Sequence, residues 1–316
     1  MSKARSQDRD DTAPEGETSG HKGGFMIGQA AFPARPLPAG LHLVATPIGN
    51  LSDITVRALE VLAGADTVAC EDTRTTRVLL NRYGIRARTT AYHEHNAASA
   101  GPKLVGAMAQ GQSVALVSDA GTPLLSDPGY RLVEEVLAAG LPVVPIPGAS
   151  ALLAALTASG LPTDAFFFAG FLPVKDGQRR TRLDALKAIP GTLVFYESPR
   201  RLAASLSAMA DVFGDRPAAV ARELTKAFEE VRRDTLDTLR DHYADAGAPK
   251  GEIVVCVAPP SAAAVPAEAD VDALLRELAE TLPASRAAAQ AARQTGLAKS
   301  DLFARIVALK GKGGNG

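Results

Sequence analysis

Short apolar runs alternate with longer amphipathic segments between residues 41 and 158. The runs have the length and composition of buried strands. The longer segments space their apolar positions three or four residues apart, as helices that pack on a sheet do. This alternation predicts a mostly parallel sheet covered by helices. The predicted strands are 41–46, 67–70, 89–93, 114–117 and 143–146, and the predicted helices are 54–63, 73–82, 98–110, 130–139 and 149–158.

The pattern changes after the segment Ser159-Gly160-Leu161-Pro162, which we interpret as a hinge. Strands outnumber helices in the part that follows, so the second sheet is expected to be mixed or largely antiparallel. Its predicted strands are 165–169, 192–196, 218–222, 228–232 and 252–257, and its predicted helices are 179–188, 202–212 and 236–243.

A linker of small residues at 259–266 leads to helices predicted at 270–281, 285–294 and 300–309. Thr295 and Gly296, between the last two helices, resemble the turn of a helix-turn-helix motif. From Pro283 onward the chain has six basic residues and one acidic residue, Asp301. Such a basic surface is typical of nucleic-acid-binding proteins but also occurs on ordinary solvated helices. Both interpretations stay open at this point.

Residues 1–38 lack any such periodicity. Asp, Arg, Gly, Ser and Thr dominate this segment, which then carries Pro33, Pro36 and Pro38. This composition predicts disorder up to about Leu41, and Met26 is an alternative start. The predicted organisation is a disordered extension at 1–38, a first α/β domain at 39–159, a second α/β domain at 160–260 and a basic helical region at 267–316.

Composition excludes few functions. Hydrophobic residues make up 46% of the 316 residues, and the formal net charge of −1 favours no class of partner. The two cysteines, Cys70 and Cys256, lie in or at the end of apolar runs, which is typical of reduced, buried thiols. The cysteines and the five histidines show no metal-binding spacing, so no metal is expected. We find no secretory signal or membrane span, and we expect a cytoplasmic protein.

The segment from Ser118 to Gly129 is the most informative part of the chain. It joins a predicted buried strand to a predicted helix and is crowded with Gly, Pro, Asp, Ser and Thr. Open α/β sheets bind their ligands at strand ends of this kind. The alternative is an ordinary connection in which Asp127 caps the helix and Pro128 takes its first position.

Other predicted strand ends also carry polar residues. The loop at 46–55 has neither the dinucleotide fingerprint nor the P-loop pattern, which disfavours the usual NAD and ATP enzymes. Glu71 and Asp72 are adjacent carboxylates that either handle a proton or form ion pairs and cap a helix. His93 and His95 are among the few neutral-pH bases, although loop histidines are more often simply exposed.

Nine of these segments, in this order, resemble the tetrapyrrole methylase superfamily, and within it the members that methylate ribosomal RNA. The resemblance implies a two-domain tetrapyrrole-methylase-like fold, as in class III S-adenosylmethionine-dependent methyltransferases. It also implies a homodimer with S-adenosylmethionine in the interdomain cleft. The segments are 46–55, 71–80, 92–96, 118–132, 146–151, 168–173, 196–201, 222–226 and 251–254.

The same resemblance implies how the methyl donor is held. Pro47 is expected to lie below the donor, and residues of both domains are expected to contact it. The methionine and ribose parts are expected to contact Asp119, Ala120, Gly121, Thr122, Pro123, Leu124, Ser150 and Ala151, and the adenine side Phe195, Tyr196, Ala221, Arg222 and Gly251.

The implied reaction is 2′-O-methylation of a cytidine in the decoding region of 16S rRNA, in the small ribosomal subunit. We hypothesise that Asp119, Asp72 or Glu71 accepts the hydroxyl proton. The superfamily has histidine where this chain has Thr75 and Arg200, so catalysis is not expected to depend on those positions. The residues expected to bind RNA are Arg74, Arg77, Arg179, Arg180, Arg182, Arg200 and Arg201, together with the terminal helices.

Two other functions fit the same residues. The basic loops would also hold the carboxylates of a porphyrin or corrin precursor, which other members of the superfamily methylate. A ribosome-assembly factor that binds RNA without chemistry would show the same basic surfaces. Donor-dependent thermal stabilisation separates this last alternative from an enzyme.

Overall fold

The computed structural model describes residues 23–126, 129–261, 268–295 and 297–312. The predicted capping of a helix by Asp127 and Pro128 therefore lies outside the described residues. The chain divides into two compact units, Met1–Ala151 and Leu152–Gly316. No described helix is both long enough and apolar enough to cross a lipid bilayer.

The first unit contains a five-stranded, fully parallel sheet in the order β5-β4-β6-β3-β7. This confirms the predicted parallel sheet, with element boundaries within two residues of those expected. The strands are β3 (Gly40–Val44), β4 (Thr67–Cys70), β5 (Thr89–Ala91), β6 (Ser113–Val117) and β7 (Val143–Ile146). The helices between them are α1 (Val56–Gly64), α2 (Thr73–Arg82), α3 (Ala97–Ala109) and α4 (Tyr130–Ala138), and α5 (Ala151–Ala158) follows β7.

Successive strand residues of this sheet pack into two different cores. Val68 and Ala115 point toward α1 and α2, whereas Ala69 and Val114 point toward α3 and α4. A strand that is buried on both faces has to be apolar at consecutive positions, as the sequence of β6 is. The sheet is therefore the middle layer of three.

A short antiparallel hairpin precedes this sheet, formed by β1 (Gly24–Ile27) and β2 (Ala30–Pro33). It corrects the prediction of disorder for residues 24–33. The Phe25 side chain is 2% exposed, packs in the core beside α1 and stacks on Phe32. The Met26 amide donates a hydrogen bond to the Tyr83 carbonyl. Residues 1–38 are polar on average, and the overall composition concealed the short apolar stretch of the hairpin.

The second unit contains a mixed five-stranded sheet in the order β11-β10-β12-β9-β8, as predicted. Only β8 and β9 pair in parallel. Helices α6, α7 and α8 pack their apolar residues on one face of this sheet. The elements are β8 (Phe166–Phe171), α6 (Asp176–Leu186), β9 (Thr192–Glu197), α7 (Leu202–Phe213), β10 (Pro217–Arg222), β11 (Glu230–Thr235), α8 (Leu236–Ala246) and β12 (Ile253–Val257).

The three C-terminal helices have a small core of their own. They are α9 (Glu268–Thr281), α10 (Ala284–Thr295) and α11 (Lys299–Lys312), which confirms the predicted helices. Leu275, Ala288 and Ile306 are buried at the centre of this core. An ion pair of 2.6 Å between Arg305 and Asp272 joins α11 to α9. One of the basic residues of this region is thus engaged inside it.

Candidate functional site

The carboxyl ends of all five strands of the first sheet lie at one edge, because the strands are parallel. The loops after β4, β6, β3 and β7 follow one another along this edge. They carry the sequence-predicted residues Asp72, Asp119, Pro47 and Ser150. The structure thus brings together the predicted site residues of the first unit.

Hydrogen bonds tie these loops to one another. Thr46 and Gly121 exchange two main-chain hydrogen bonds, of 2.9 and 3.0 Å, in an isolated antiparallel bridge. The Thr46 hydroxyl donates to the Ser118 carbonyl, and the Thr122 hydroxyl donates to the Ala149 carbonyl. The loops after β3, β6 and β7 therefore form one connected surface. Sequence reasoning had not identified Thr46 as part of it.

The loop after β6 holds its backbone in an unfavourable conformation. Gly121 has φ +80°, and the non-glycine residues Leu124 and Ser126 have φ +77° and +69°. A left-handed conformation costs a non-glycine residue about 1–2 kcal/mol. Such residues cluster at ligand-binding sites, where the surrounding structure holds them in place. A Cβ atom on Gly121 would also lie 3.3 Å from the Ile48 side chain.

The carboxylates at this edge differ in their surroundings. Asp72 caps α2 through the Arg74 amide, and its carboxylate pairs with the Arg74 guanidinium at 3.1 Å. The hydrogen bond from the Arg74 side chain holds the pKa of Asp72 below its usual range, which makes it less suited to accept a proton at neutral pH. Asp119 is exposed, and its Oδ1 accepts a hydrogen bond from the Asp72 amide at 3.1 Å. Glu71 is half-buried.

The predicted adenine-side residues lie at one edge of the second sheet. Tyr196, Val254 and Ala221 are direct neighbours across β9, β12 and β10. Phe195 points the other way, into the core beneath the helices, where it is fully buried. Of Phe195 and Tyr196, only Tyr196 has a side chain that solvent can reach.

Contacts of Arg222 and Gly251 hold the chain segments at this edge together. Arg222 donates to Glu230 and to the Lys250 carbonyl. Gly251 has φ +102°, and a Cβ atom there would lie 2.2 Å from the Glu223 side chain. Position 251 therefore requires a glycine, because the Glu223 side chain of the same unit lies too close to its backbone for a Cβ atom.

The arginines predicted to bind RNA fall into two groups. Arg179 is buried and paired with Asp176, and Arg201 binds the fully buried carboxylate of Glu197 at 2.6 Å. These two predictions are corrected, because both guanidinium groups are engaged inside the second unit. The others are exposed or half-exposed, with Arg74 paired to Asp72, and Arg180 to Asp176 and Asp211. The exposed side chains are those of Arg74, Arg77, Arg182 and Arg200.

Comparison with known proteins identifies the family. The family model described as "Tetrapyrrole (Corrin/Porphyrin) Methylases" matches residues 40–240, which cover the sheets of both units up to α8. The chain belongs to the tetrapyrrole methylase family. A second model, described as "RsmI C-terminal HTH domain", matches residues 265–310, where the structure places the three terminal helices.

Curated relatives resemble the chain over nearly its whole length. A protein of Mesorhizobium japonicum is 66% identical over 292 residues, covering 92% of this chain and 99% of its own. A protein of Escherichia coli O157:H7 is 46% identical and covers 83% of this chain and 93% of its own. Both are called "Ribosomal RNA small subunit methyltransferase I".

Solved structures show the same fold at low sequence identity. Diphthine synthase matches with a TM-score of 0.55 and 18% identity, covering 69% of this chain and 89% of that chain. A cobalt precorrin-4 methyltransferase matches with a TM-score of 0.52 and 18% identity, covering 69% and 94%. The predicted two-domain methylase fold is confirmed.

Family membership also confirms the predicted methyltransferase activity and the predicted methyl donor, S-adenosylmethionine. The residues present fit this donor, which carries a cationic sulfonium and a cationic ammonium group. The first unit offers the exposed Asp119 carboxylate beside a strained, glycine-containing backbone loop. Among the described residues, no group of three or more His, Cys, Asp or Glu side chains is placed to hold a metal ion.

Proposed function

We propose that this tetrapyrrole methylase family member methylates the ribose 2′ oxygen of a cytidine in the 16S rRNA of the small ribosomal subunit. The main support is the name of its relatives, one of which is 66% identical over 92% of the chain. The match of residues 265–310 to an "RsmI C-terminal HTH domain" adds to this, because helix-turn-helix modules are typical of nucleic-acid-binding proteins. A porphyrin or corrin acceptor would leave this region without a role.

The proposed mechanism depends on positioning. The donor supplies an electrophilic methyl group on a sulfonium sulfur. The chain has to hold the acceptor oxygen in line with that group, about 3 Å from it, and such orientation supplies much of the rate. The loops after β3 and β6, which the Thr46–Gly121 bridge joins, are suited to this task. Asp119 is the proposed acceptor of the hydroxyl proton, because it is exposed and oriented by the Asp72 amide.

Single alanine substitutions of Asp119, Asp72 and Glu71 test the role of the carboxylates. We expect Asp119→Ala to lower turnover most, by about 10²–10⁴-fold, which is the usual contribution of a general base. Asp72→Ala should lower turnover less and should also destabilise α2, whose first turn it caps. Turnover and donor affinity are measured separately for each variant. If no variant loses more than about tenfold in turnover, none of these carboxylates is the base.

The substrate is tested with purified protein, radiolabelled S-adenosylmethionine and small subunits from a strain that lacks the enzyme. We expect label on the ribose of one cytidine in the rRNA. Label on a porphyrin precursor but not on RNA would contradict the proposed substrate. Donor binding without any methyl transfer to RNA would favour the assembly factor.

The same proposal includes a homodimer in the cytoplasm, where ribosomal subunits are assembled. It also divides the chain into α/β domains at 39–159 and 160–260 and a helical region at 267–316. Sedimentation of the purified protein tests the dimer, and limited proteolysis tests the domain limits. A monomer at all concentrations would contradict the dimer.

A further inference from the structure

One edge of the second sheet collects five chain segments. β8, β9 and β10 end there, and β11 and β12 begin there, since Glu197, Ile253, Arg222 and Glu230 are successive neighbours across the strands. At this edge, the 223–229 loop joins β10 directly to β11. Phe228 lies in this loop, two residues before β11 begins, and its side chain is 74% exposed.

Internal hydrogen bonds fix the 223–229 loop. The Thr225 amide donates to the Glu229 carboxylate at 2.6 Å, and the Lys226 amide donates to the Glu223 carbonyl at 3.0 Å. Glu223 and Thr225 are held at φ +51° and +67°, a conformation that non-glycine residues rarely adopt. The chain therefore holds a large apolar ring in water on a strained and well-tied loop.

The charges around this loop favour a polyanion. Lys226 binds the carboxylates of Glu223 and Glu252, and the exposed Glu229 carboxylate accepts the Thr225 amide. Arg222 and Arg232 bind Glu230 in the same way. Arg200, after β9, and Lys250, before β12, are exposed at the same edge. Proteins that bind single-stranded RNA stack bases on exposed aromatic rings and contact the phosphates with cations.

We propose that Phe228 stacks on an unpaired nucleobase of the RNA substrate. This inference rests on the proposed function and specifies how the second unit recognises the RNA. The exposed ring offers a flat apolar face, and every nucleobase has a matching face. Phe228 thus fixes the position of the RNA strand, while Arg200 and Lys250 contact its phosphates.

Kinetics with small subunits give the first test. Alanine substitution of a stacked aromatic costs about 5- to 150-fold in affinity. We expect Phe228→Ala to raise KM for small subunits by that factor, with little change in the affinity for S-adenosylmethionine. Phe228→Tyr keeps a ring and should restore the KM. The matched control is Phe166→Ala, since Phe166 is 44% exposed at the opposite end of β8 and should leave this KM unchanged.

Fluorescence gives a direct test, because the chain contains no tryptophan. Phe228→Trp creates a single reporter at the proposed contact, and Phe166→Trp creates one at the control position. We expect naked small-subunit rRNA to quench the first and not the second. The proposal is overturned if rRNA and intact subunits both leave the first unchanged, or if the methyl donor alone produces the whole change.

Two further measurements separate this inference from its alternatives. If Phe228→Ala weakens self-association in sedimentation, the ring contacts a second copy of the chain and the proposal is wrong. If the wild-type protein methylates rRNA while the Phe228→Trp signal stays silent, only the stacking contact is overturned. If the wild-type protein methylates no RNA, the proposed function is wrong and this inference is wrong with it.

Discussion

Arg200 and Arg201 are neighbours in the sequence, but their guanidinium groups lie in different surroundings. Arg201 donates to Glu197 at 2.6 and 2.8 Å, and the Ser205 hydroxyl donates to the other oxygen of the same buried carboxylate. Arg200 is exposed. The order Glu197-Ser198-Pro199-Arg200-Arg201 places a carboxylate close to both arginines in the sequence. It could not indicate which arginine binds the carboxylate, because that depends on the turn after β9.

Alanine substitution should separate the two arginines. Arg201→Ala leaves the Glu197 carboxylate buried without its cation, which we expect to destabilise the protein by about 3–5 kcal/mol in denaturant unfolding. Arg200→Ala should leave stability unchanged and should lower the salt dependence of RNA binding by about one unit of slope. The assignment fails if the two variants show the same loss of stability.

Two glycines in the second unit form a matched pair. Gly251 and Gly247 both have positive φ, at +102° and +75°, but only Gly251 is crowded by another side chain, that of Glu223. We expect Gly247→Ala to cost about 1–3 kcal/mol in denaturant unfolding from backbone strain alone, because its φ and ψ lie in a region that essentially only glycine adopts. Gly251→Ala should cost more, and Glu223→Ala in the same chain should recover part of the difference. Equal costs for the two single variants would show that the close approach is unimportant.

At the scale of elements, apolar periodicity predicted every strand and helix of both sheets, with boundaries within three residues. Strand and helix periods are strong signals in long apolar segments. The hairpin of β1 and β2 escaped because its strands have four residues each, too few for a period to show. What identifies it is a turn with Gly28 at φ +61° between two phenylalanines.

The hairpin should contribute to the stability of the first unit. Phe25→Ala removes a fully buried ring, so we expect a loss of about 3–5 kcal/mol in the free energy of unfolding. Phe32 stacks on Phe25 but is 41% exposed. Phe32→Ala should therefore lower the free energy of unfolding much less. Denaturant unfolding of the two variants measures the difference. A negligible loss for Phe25→Ala would mean that residues 24–33 are dispensable for folding.

Part of the arrangement of the candidate site residues could be predicted from the sequence. Because strand ends of a parallel sheet share one edge, the loops with Pro47, Asp72, Asp119 and Ser150 were placed together correctly. The orientation of individual side chains was not predicted, since it depends on pairing across strands. Phe195 illustrates this limit, because a one-residue step along β9 moves a side chain from the core to the other face of the sheet.

At the scale of the whole molecule, the two cysteines are distributed one to each unit. Cys70 ends β4 in the first unit and Cys256 lies in β12 of the second, and both are buried free thiols. Burial raises the pKa of Cys70, and it raises the pKa of Cys256 to about 12. Both thiols should therefore be inert in the native protein, because the thiolate is the reactive form.

Alkylation of Cys70 and Cys256 should measure the unfolding of the first and the second unit separately. We expect neither cysteine to react with iodoacetamide at pH 8 until denaturant is added, with mass spectrometry identifying the modified peptide. Above pH 9.0, the ordinary value, the unfolded chain loses the Cys256 proton while the native protein retains it up to about pH 12. The free energy of unfolding should fall across that window, and less so in Cys256→Ala. Rapid alkylation of either native thiol would contradict its burial.

The bridge between Thr46 and Gly121 has a consequence for motion. The loops after β3 and β6 are far apart in the chain, and these two main-chain hydrogen bonds join them. They cannot fold over a small molecule one at a time, so little conformational entropy is left in them to lose on ligand capture. Any lid that shields the reaction from water has to be sought outside this pair.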